Sequence, residues 1–256
     1  MVDIRACGRT DVGRARTHNE DCFDIDEANR LYLVADGMGG HRYGEVASRV
    51  AVAAIREFVR ERLAGDDTWP FALDAGLRRH SNLLRTAVRE AHRKVLSAIQ
   101  ADHRLYGMGT TLVGFYLDGE VAAVAHVGDS RAYRLRGGAL ELLTQDHTWV
   151  NEQVVAGFLS EDQARIHPLK NVVTRALGGE RDVAVDVREI QVQPGDLYLL
   201  CSDGLTTMLA DSEIAALTHA AAEESQTLET LCDRLVACAN HRGGHDNVTV
   251  VALAIS

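Results

Sequence analysis

Leu31-Tyr32-Leu33-Val34-Ala35 runs without a break into Asp36-Gly37-Met38-Gly39-Gly40. Five apolar residues closed by an acid and a glycine-rich turn read as a strand and its end. The pattern recurs along the chain. Leu197-Tyr198-Leu199-Leu200-Cys201-Ser202 meets Asp203-Gly204, and Val124-Ala125-His126-Val127 meets Gly128-Asp129-Ser130-Arg131. Gly243-Gly244-His245-Asp246-Asn247 stands directly before Val248-Thr249-Val250-Val251. Three aspartates are therefore expected at strand ends and one at a strand start. Such positions share an edge in an antiparallel sheet, so Asp36, Asp129, Asp203 and Asp246 are expected to converge on one rim. Carboxylates gathered in this way repel one another unless cations neutralise them. Ligation by oxygen alone selects hard ions such as Mg²⁺ or Mn²⁺. A single Asp-Gly pair reads as a turn; the set carries the meaning.

Outward from these segments, strands are expected at about 31–36, 109–117, 120–127, 131–136, 184–190, 196–202 and 247–254. Asp118-Gly119 is a favoured two-residue hairpin turn, and Gly137-Gly138 stands in a similar place before Leu140-Glu141-Leu142. Apolar residues recur at three- and four-residue steps over 45–63, 77–100 and 224–240, which predicts helices there. Strand clusters interrupted by helical blocks indicate an α+β fold. With three prolines and no low-complexity tract among 256 residues, no linker is evident and 1–256 is expected to form one domain. A chain of this length buries roughly 70–75% of its unfolded surface.

Acidic residues outnumber basic ones 37 to 27, a formal charge of −10. That argues against a nucleic-acid partner, which calls for a basic stripe. Five cysteines (Cys7, Cys22, Cys201, Cys232, Cys238) are odd in number and form no CxxC pair. They fit a reducing cytosol better than a disulfide framework or a zinc site. No signal sequence precedes the first motif, and no apolar run approaches the ~20 residues that span a bilayer. A soluble, cytoplasmic protein without a membrane partner is expected, and a monomer, although sequence leaves the oligomeric state open.

Further motifs complete the set. Gly13-Arg14-Ala15-Arg16-Thr17-His18-Asn19-Glu20-Asp21 resembles the opening motif of the metal-dependent protein phosphatases, the protein phosphatase 2C-like family. Asp36-Gly37-Met38-Gly39-Gly40-His41 resembles the bacterial form of its second motif. Gly107-Met108-Gly109-Thr110-Thr111, Val127-Gly128-Asp129-Ser130-Arg131, Ser202-Asp203-Gly204 and His245-Asp246-Asn247 follow in the family's order. The resemblance covers about residues 5–255.

It implies a four-layer α-β-β-α sandwich, two antiparallel sheets flanked by helices, with a binuclear Mn²⁺ or Mg²⁺ centre at one edge. By similarity, Asp36 bridges two ions, the Gly37 carbonyl completes one shell, Asp203 and Asp246 hold the first ion, and Glu20 stands near the second, largely through water. Asp129 and Asp203 resemble the pair that holds a third, weaker ion. Arg16 matches the residue that grips substrate phosphate, a task suited to a planar fork of donors. Asn19, Asp21 and Asn247 are expected to orient ligands or cap turns, and Thr110 and Thr111 to pack and hydrogen-bond near the cleft. The implied reaction is hydrolysis of phosphoserine and phosphothreonine in proteins by water activated between two cations, opposing a bacterial Ser/Thr kinase at its substrates. Met38 stands where many eukaryotic members have His, so the proton donor stays unassigned; His41 is expected to bond only locally. The segment 146–179, with a helix at 149–156 and pivots at Gly157 and near Pro168, resembles the family's flap.

Other readings fare worse. His245-Asp246 precedes a strand rather than standing on a helix as in HD-type phosphohydrolases. Asp24 and Asp26 are followed by Ala28, against the calcium-loop pattern, and no P-loop occurs. A phosphatase of the same fold acting on an anti-sigma-type regulator would usually bring a sensor domain. The rival from another class is a catalytically inactive, phosphoprotein-binding module of the same fold, which is expected to lose ligands that this chain keeps.

Overall fold

The computed structural model describes residues 2–39, 43–65, 68–224 and 226–256. His41 lies outside the described residues. Two antiparallel sheets are stacked. One has the order β1 (Ile4–Asp11), β11 (Val248–Ile255), β10 (Leu197–Cys201), β7 (Arg131–Arg136) and β8 (Ala139–Leu142). The other has the order β2 (Asp21–Asp26), β3 (Leu31–Met38), β5 (Leu112–Asp118), β6 (Val121–Val127) and β9 (Asp186–Gln191), with β4 (Gly109–Thr110) paired to the far end of β3. Helices α1 (Tyr43–Leu63) and α2 (Arg79–Ala101) cover the second sheet; α6 (Asp211–Glu223) and α7 (Leu228–His241) cover the first. The fold is an α+β sandwich of two antiparallel sheets flanked by helices, as the family resemblance implies.

Alternation within the strands explains the layers. On β3, Leu31, Leu33 and Ala35 pack against the helices, while Tyr32 and Val34 face the other sheet. On β10, Leu197, Leu199 and Cys201 turn to α6 and α7, and Tyr198 and Leu200 turn inward. β11 divides Val248, Val250 and Ala252 from Val251, Leu253 and Ile255 in the same way. Both faces of these strands are buried, so their sequences are continuously apolar. Phe115 and Tyr198 meet across the sheets with ring centroids 4.9 Å apart.

This parity also delivers the acids. Asp36 follows Tyr32 and Val34 on the face that looks between the sheets, and Asp21 is its neighbour in register on β2. Ser202 and Thr249 continue the inward series of β10 and β11 from the opposite sheet. The apolar layer gives way at one end to carboxylates and hydroxyls.

The expected placement of the aspartates needs correction. Asp36 does not end its strand: β3 runs on to Met38, where Gly37 and Met38 pair with Thr110 and Gly109. Asp203 opens the one-turn helix α5 (Asp203–Thr206), and Asp129 and Asp246 stand in the turns flanking β6 and β11. Strands at Ile4–Asp11 and Asp21–Asp26, and the helix Asp211–Glu223, were not expected from the sequence. The excursion between β8 and β9 holds the expected helix, α3 (Trp149–Val155), and a second, α4 (Glu161–Ile166), with Gly157 between them at φ +77°.

Candidate metal centre

The site is built on Asp36. Its backbone N–H donates to Thr111 Oγ1 (3.1 Å), and its carbonyl accepts from Thr110 Oγ1 (2.8 Å) and the Thr111 N–H (2.9 Å). Both threonines therefore hydrogen-bond beside the cluster, as expected. Gly37 is needed for a close approach: a Cβ there would lie 2.2 Å from the Gly44 carbonyl oxygen and 2.5 Å from that of Glu20. Helix α1 thus starts directly against β3. The backbone amide of Gly44, in its first turn, favours the charged form of the Glu20 carboxylate and so offsets part of the rise that burial causes.

Asn247 fixes the opening loop. Its Oδ1 accepts from the Glu20 N–H (2.8 Å), and its Nδ2 donates to the carbonyls of Val12 and His18 (both 2.9 Å). Asn19 Oδ1 accepts from the Asp21 N–H (3.1 Å). Asp21 itself is buried and accepts from Ser202 Oγ (2.8 Å) and Thr249 Oγ1 (2.6 Å), which joins the two sheets beneath the cluster. Sequence reading cast Asp21 as an orienting residue and did not count it among the clustered acids. Its hydroxyl partners lie roughly 180 and 230 positions away, where no local pattern registers.

The electrostatics are those of crowded carboxylates. Burial raises the pKa of Asp36 far above the usual carboxylate value, and the negative charges of Asp21, Asp203, Asp129 and Asp246 add to it. Burial pushes Asp21 and Asp129 up to about 7, in both cases with help from Asp203. Asp203 is raised by burial and by Asp246, and a hydrogen bond with Asp36 partly offsets this. Glu20 is raised too, chiefly by burial. Arg16 supplies a nearby cation: its Nη2 donates to Asp246 Oδ2 at 2.7 Å. The structure thus brings Asp36, Asp129, Asp203 and Asp246 together, with Glu20 and Arg16 at the rim.

Two buried oxygens decide what this arrangement fits. Asp203 Oδ1 and Asp21 Oδ1 have no hydrogen-bond partner. A buried carboxylate oxygen without a donor is costly, and its remedy is a proton or a cation. An all-oxygen donor set with excess negative charge matches hard divalent ions.

Residues 11–246 match the family described as Protein phosphatase 2C. The chain belongs to the protein phosphatase 2C family. It is 38% identical over 251 residues to the serine/threonine phosphatase stp of Listeria monocytogenes, covering 95% of this chain and 92% of that protein. Its structure is similar to the crystal structure of the serine/threonine phosphatase PstP/Ppp of Mycobacterium tuberculosis, with a TM-score of 0.85, 34% identity and 99% of each chain covered. It is also similar to the catalytic domain of PstP in complex with two manganese ions, with a TM-score of 0.82, 33% identity and coverage of 100% of this chain and 99% of that one.

In this member of the protein phosphatase 2C family a second group has metal-ligand composition. Ligand atoms of His126, His147 and Asp186 lie within 4.8 Å of one another. The hydrogen bonds argue against a cation there. The Gly128 N–H donates to His147 Nδ1 (3.0 Å), which places the ring proton on Nε2 toward Asp186 Oδ2 (3.2 Å), and Arg175 Nη1 lies 3.3 Å from the same Nε2. Arg175 Nη1 donates to Asp186 Oδ1 (3.2 Å) and already supplies the positive charge. A cavity of about 590 Å³ opens beside His126, between Leu77, Arg85, Gln145 and Arg188, and none of the clustered carboxylates lines it. Among the described residues, no helix is long and apolar enough to cross a membrane.

Proposed function

We propose that this chain hydrolyses phosphoserine and phosphothreonine esters in proteins, with two Mn²⁺ or Mg²⁺ ions held by its clustered acids. The observation that carries this reading is the convergence of Asp36, Asp203 and Asp246, with a buried Asp203 oxygen left without a donor. Asp36 would bridge the pair, with the Gly37 carbonyl and Glu20 beside it, and Asp203 and Asp246 would hold the first ion. Asp129 with Asp203 would take a third. When bound, the ions supply Lewis acidity and lower the pKa of water in the cleft. The printed names of the stp and PstP proteins and the two manganese ions of the PstP catalytic domain support the assignment.

The chain's own residues do the rest. The hydroxyls of Thr110 and Thr111 hold the Asp36 backbone rigid, which fixes where its carboxylate stands. Arg16 is half exposed at the rim, and its ion pair with Asp246 keeps the guanidinium over the cluster. Once Asp246 is committed to a cation, that fork is free for two phosphate oxygens. The whole of 1–256 would act as one catalytic unit, in the cytoplasm, opposing a Ser/Thr kinase at that kinase's substrates.

Release of nitrophenol from para-nitrophenyl phosphate and of phosphate from a phosphothreonine peptide provides the test. Metal-free protein is expected to be inert in EDTA and to regain turnover with Mn²⁺. Full turnover in excess EDTA overturns the reading, and no turnover with Mn²⁺ points to a binding module. Arg16→Ala is expected to lower kcat/KM for the phosphopeptide about 10–100-fold, the equivalent of one charge-assisted hydrogen bond. Calorimetry should find its Mn²⁺ affinity unreduced, because the substitution removes a cation rather than a ligand.

A further inference from the structure

Residues outside the acid cluster hold one of its members in place. His147 stands at the root of the excursion between β8 and β9, one residue after Asp146, and is buried to 4% exposure. It grips Gly128, the residue before Asp129, at both its N–H and its carbonyl. Its Nδ1 accepts from the Gly128 N–H (3.0 Å), and its own backbone N–H donates to the Gly128 carbonyl (3.0 Å). Gly128 adopts φ +101°, and a Cβ there would lie 2.6 Å from Thr111 Cγ2, so the turn has no slack on its other side. Thr111 in turn bonds Ser130 Oγ (2.7 Å) and the Asp36 N–H. The next side chain after Gly128 is the Asp129 carboxylate, which faces Asp203 and Asp36.

The imidazole is itself immobilised. It stacks on His126 with centroids 4.7 Å apart and planes 16° apart. Its Nε2 lies 3.2 Å from Asp186 Oδ2 and 3.3 Å from Arg175 Nη1, which also binds Asp186. The His147 carbonyl accepts from the Thr174 N–H (2.8 Å), and Thr148 bridges Val173, so both ends of the excursion are sewn together at this residue.

We propose that His147 is a positioning residue for the third cation: its Nδ1 holds the Gly128 amide, and with it the Asp129 carboxylate, in register with the excursion's root. This rests on the reading of Asp129 as a cation ligand. A hydrogen bond that orients a ligand in this way tunes ion affinity without touching the ion. The two ring nitrogens do different work, and two amide side chains separate them. Asn places its Oδ1 where Nδ1 stands and can accept from Gly128. Gln places its amide near Nε2 and keeps only the Asp186 contact.

Binding of Mn²⁺ to the full chain, followed by the paramagnetic resonance of the free ion and by calorimetry, provides the test. Wild type is expected to bind one weak Mn²⁺ that Asp129→Ala does not. His147→Gln is expected to weaken that ion alone by about tenfold or more, and His147→Asn to stay within about twofold of wild type. Asp186→Ala, on a half-exposed side chain, is expected to weaken the same ion about threefold, and serves if His147→Gln fails to fold. Equal affinities for the Asn and Gln variants, or an unchanged Asp186→Ala protein, overturn the His147 role and leave the Asp129 reading standing. If Asp129→Ala binds Mn²⁺ as wild type does, the Asp129 reading fails and the inference fails with it.

Discussion

Asp36→Asn should abolish turnover while making the metal-free protein more stable. The carboxylate sits at the centre of the cluster, facing the charges of Asp21, Asp203, Asp129 and Asp246. Loss of an outer hydrogen-bond partner of a metal ligand costs about 10–100-fold, so loss of the charge on a bridging ligand should exceed about 100-fold. The fold has no reason to suffer, because Thr110 and Thr111 bond only the Asp36 backbone, which the substitution keeps. Burial forces a proton onto metal-free Asp36 that its unfolded carboxyl would release near neutral pH, and Asn removes that cost, so the metal-free variant should melt higher than metal-free wild type at pH 7. Steady-state kinetics with Mn²⁺ and calorimetric melting without it read the two effects separately. Near-normal turnover would remove Asp36 from the bridging role.

The second large effect concerns pH. Asp21 and Asp129 titrate near 7 in the folded protein but near 4 when unfolded. Between those values the folded chain holds protons that the unfolded chain has released, so the metal-free protein loses stability as pH rises from about 4 to about 7. The slope is at most about 1.4 kcal/mol per pH unit for each extra proton held. Burial lowers the pKa of His80, His92, His126 and His147, and these push the other way up to about pH 6.5. Subtracting the melting profile of Asp36→Asn/Asp129→Asn from that of wild type isolates Asp129 together with Asp36, whose pKa burial also raises. The difference should decline from pH 4.5 to 7, and Mn²⁺ should reverse the trend by replacing the protons. A flat or rising difference would show that these acids are not crowded in solution.

The sequence announces the central strands because both of their faces are buried, which leaves uninterrupted apolar runs at β3, β6, β10 and β11. It hides β2 for the opposite reason. Asp24 and Asp26 sit on the helix-facing side of that strand and pair there with Arg56 (3.1 Å) and Arg60 (2.8 Å) of α1. Charge on a face that lies against a helix defeats the simple alternation rule. Helix α6 is equally quiet, since of its thirteen residues only Ile214, Thr218 and Ala221 are buried. In the site, the aspartates at β3, β6, β10 and β11 stand out beside their apolar runs. Asp21 and His147 do not, because what each one does is set by groups that arrive from another strand or turn. The ion pair of Arg16 with Asp246 is likewise invisible before the chain is folded, with 230 positions between the partners.

Strand β11 lies between β1 and β10, with Ile255 opposite Ile4 and Val248 opposite Asp11. Contacts this distant in sequence form late and slow folding. On the ribosome the consequence is temporal. Until residues 248–255 emerge, β1 lacks its partner, Thr249 cannot hold Asp21, and Asp246 has no place beside Asp203. A nascent chain therefore stays catalytically silent until synthesis has passed β11.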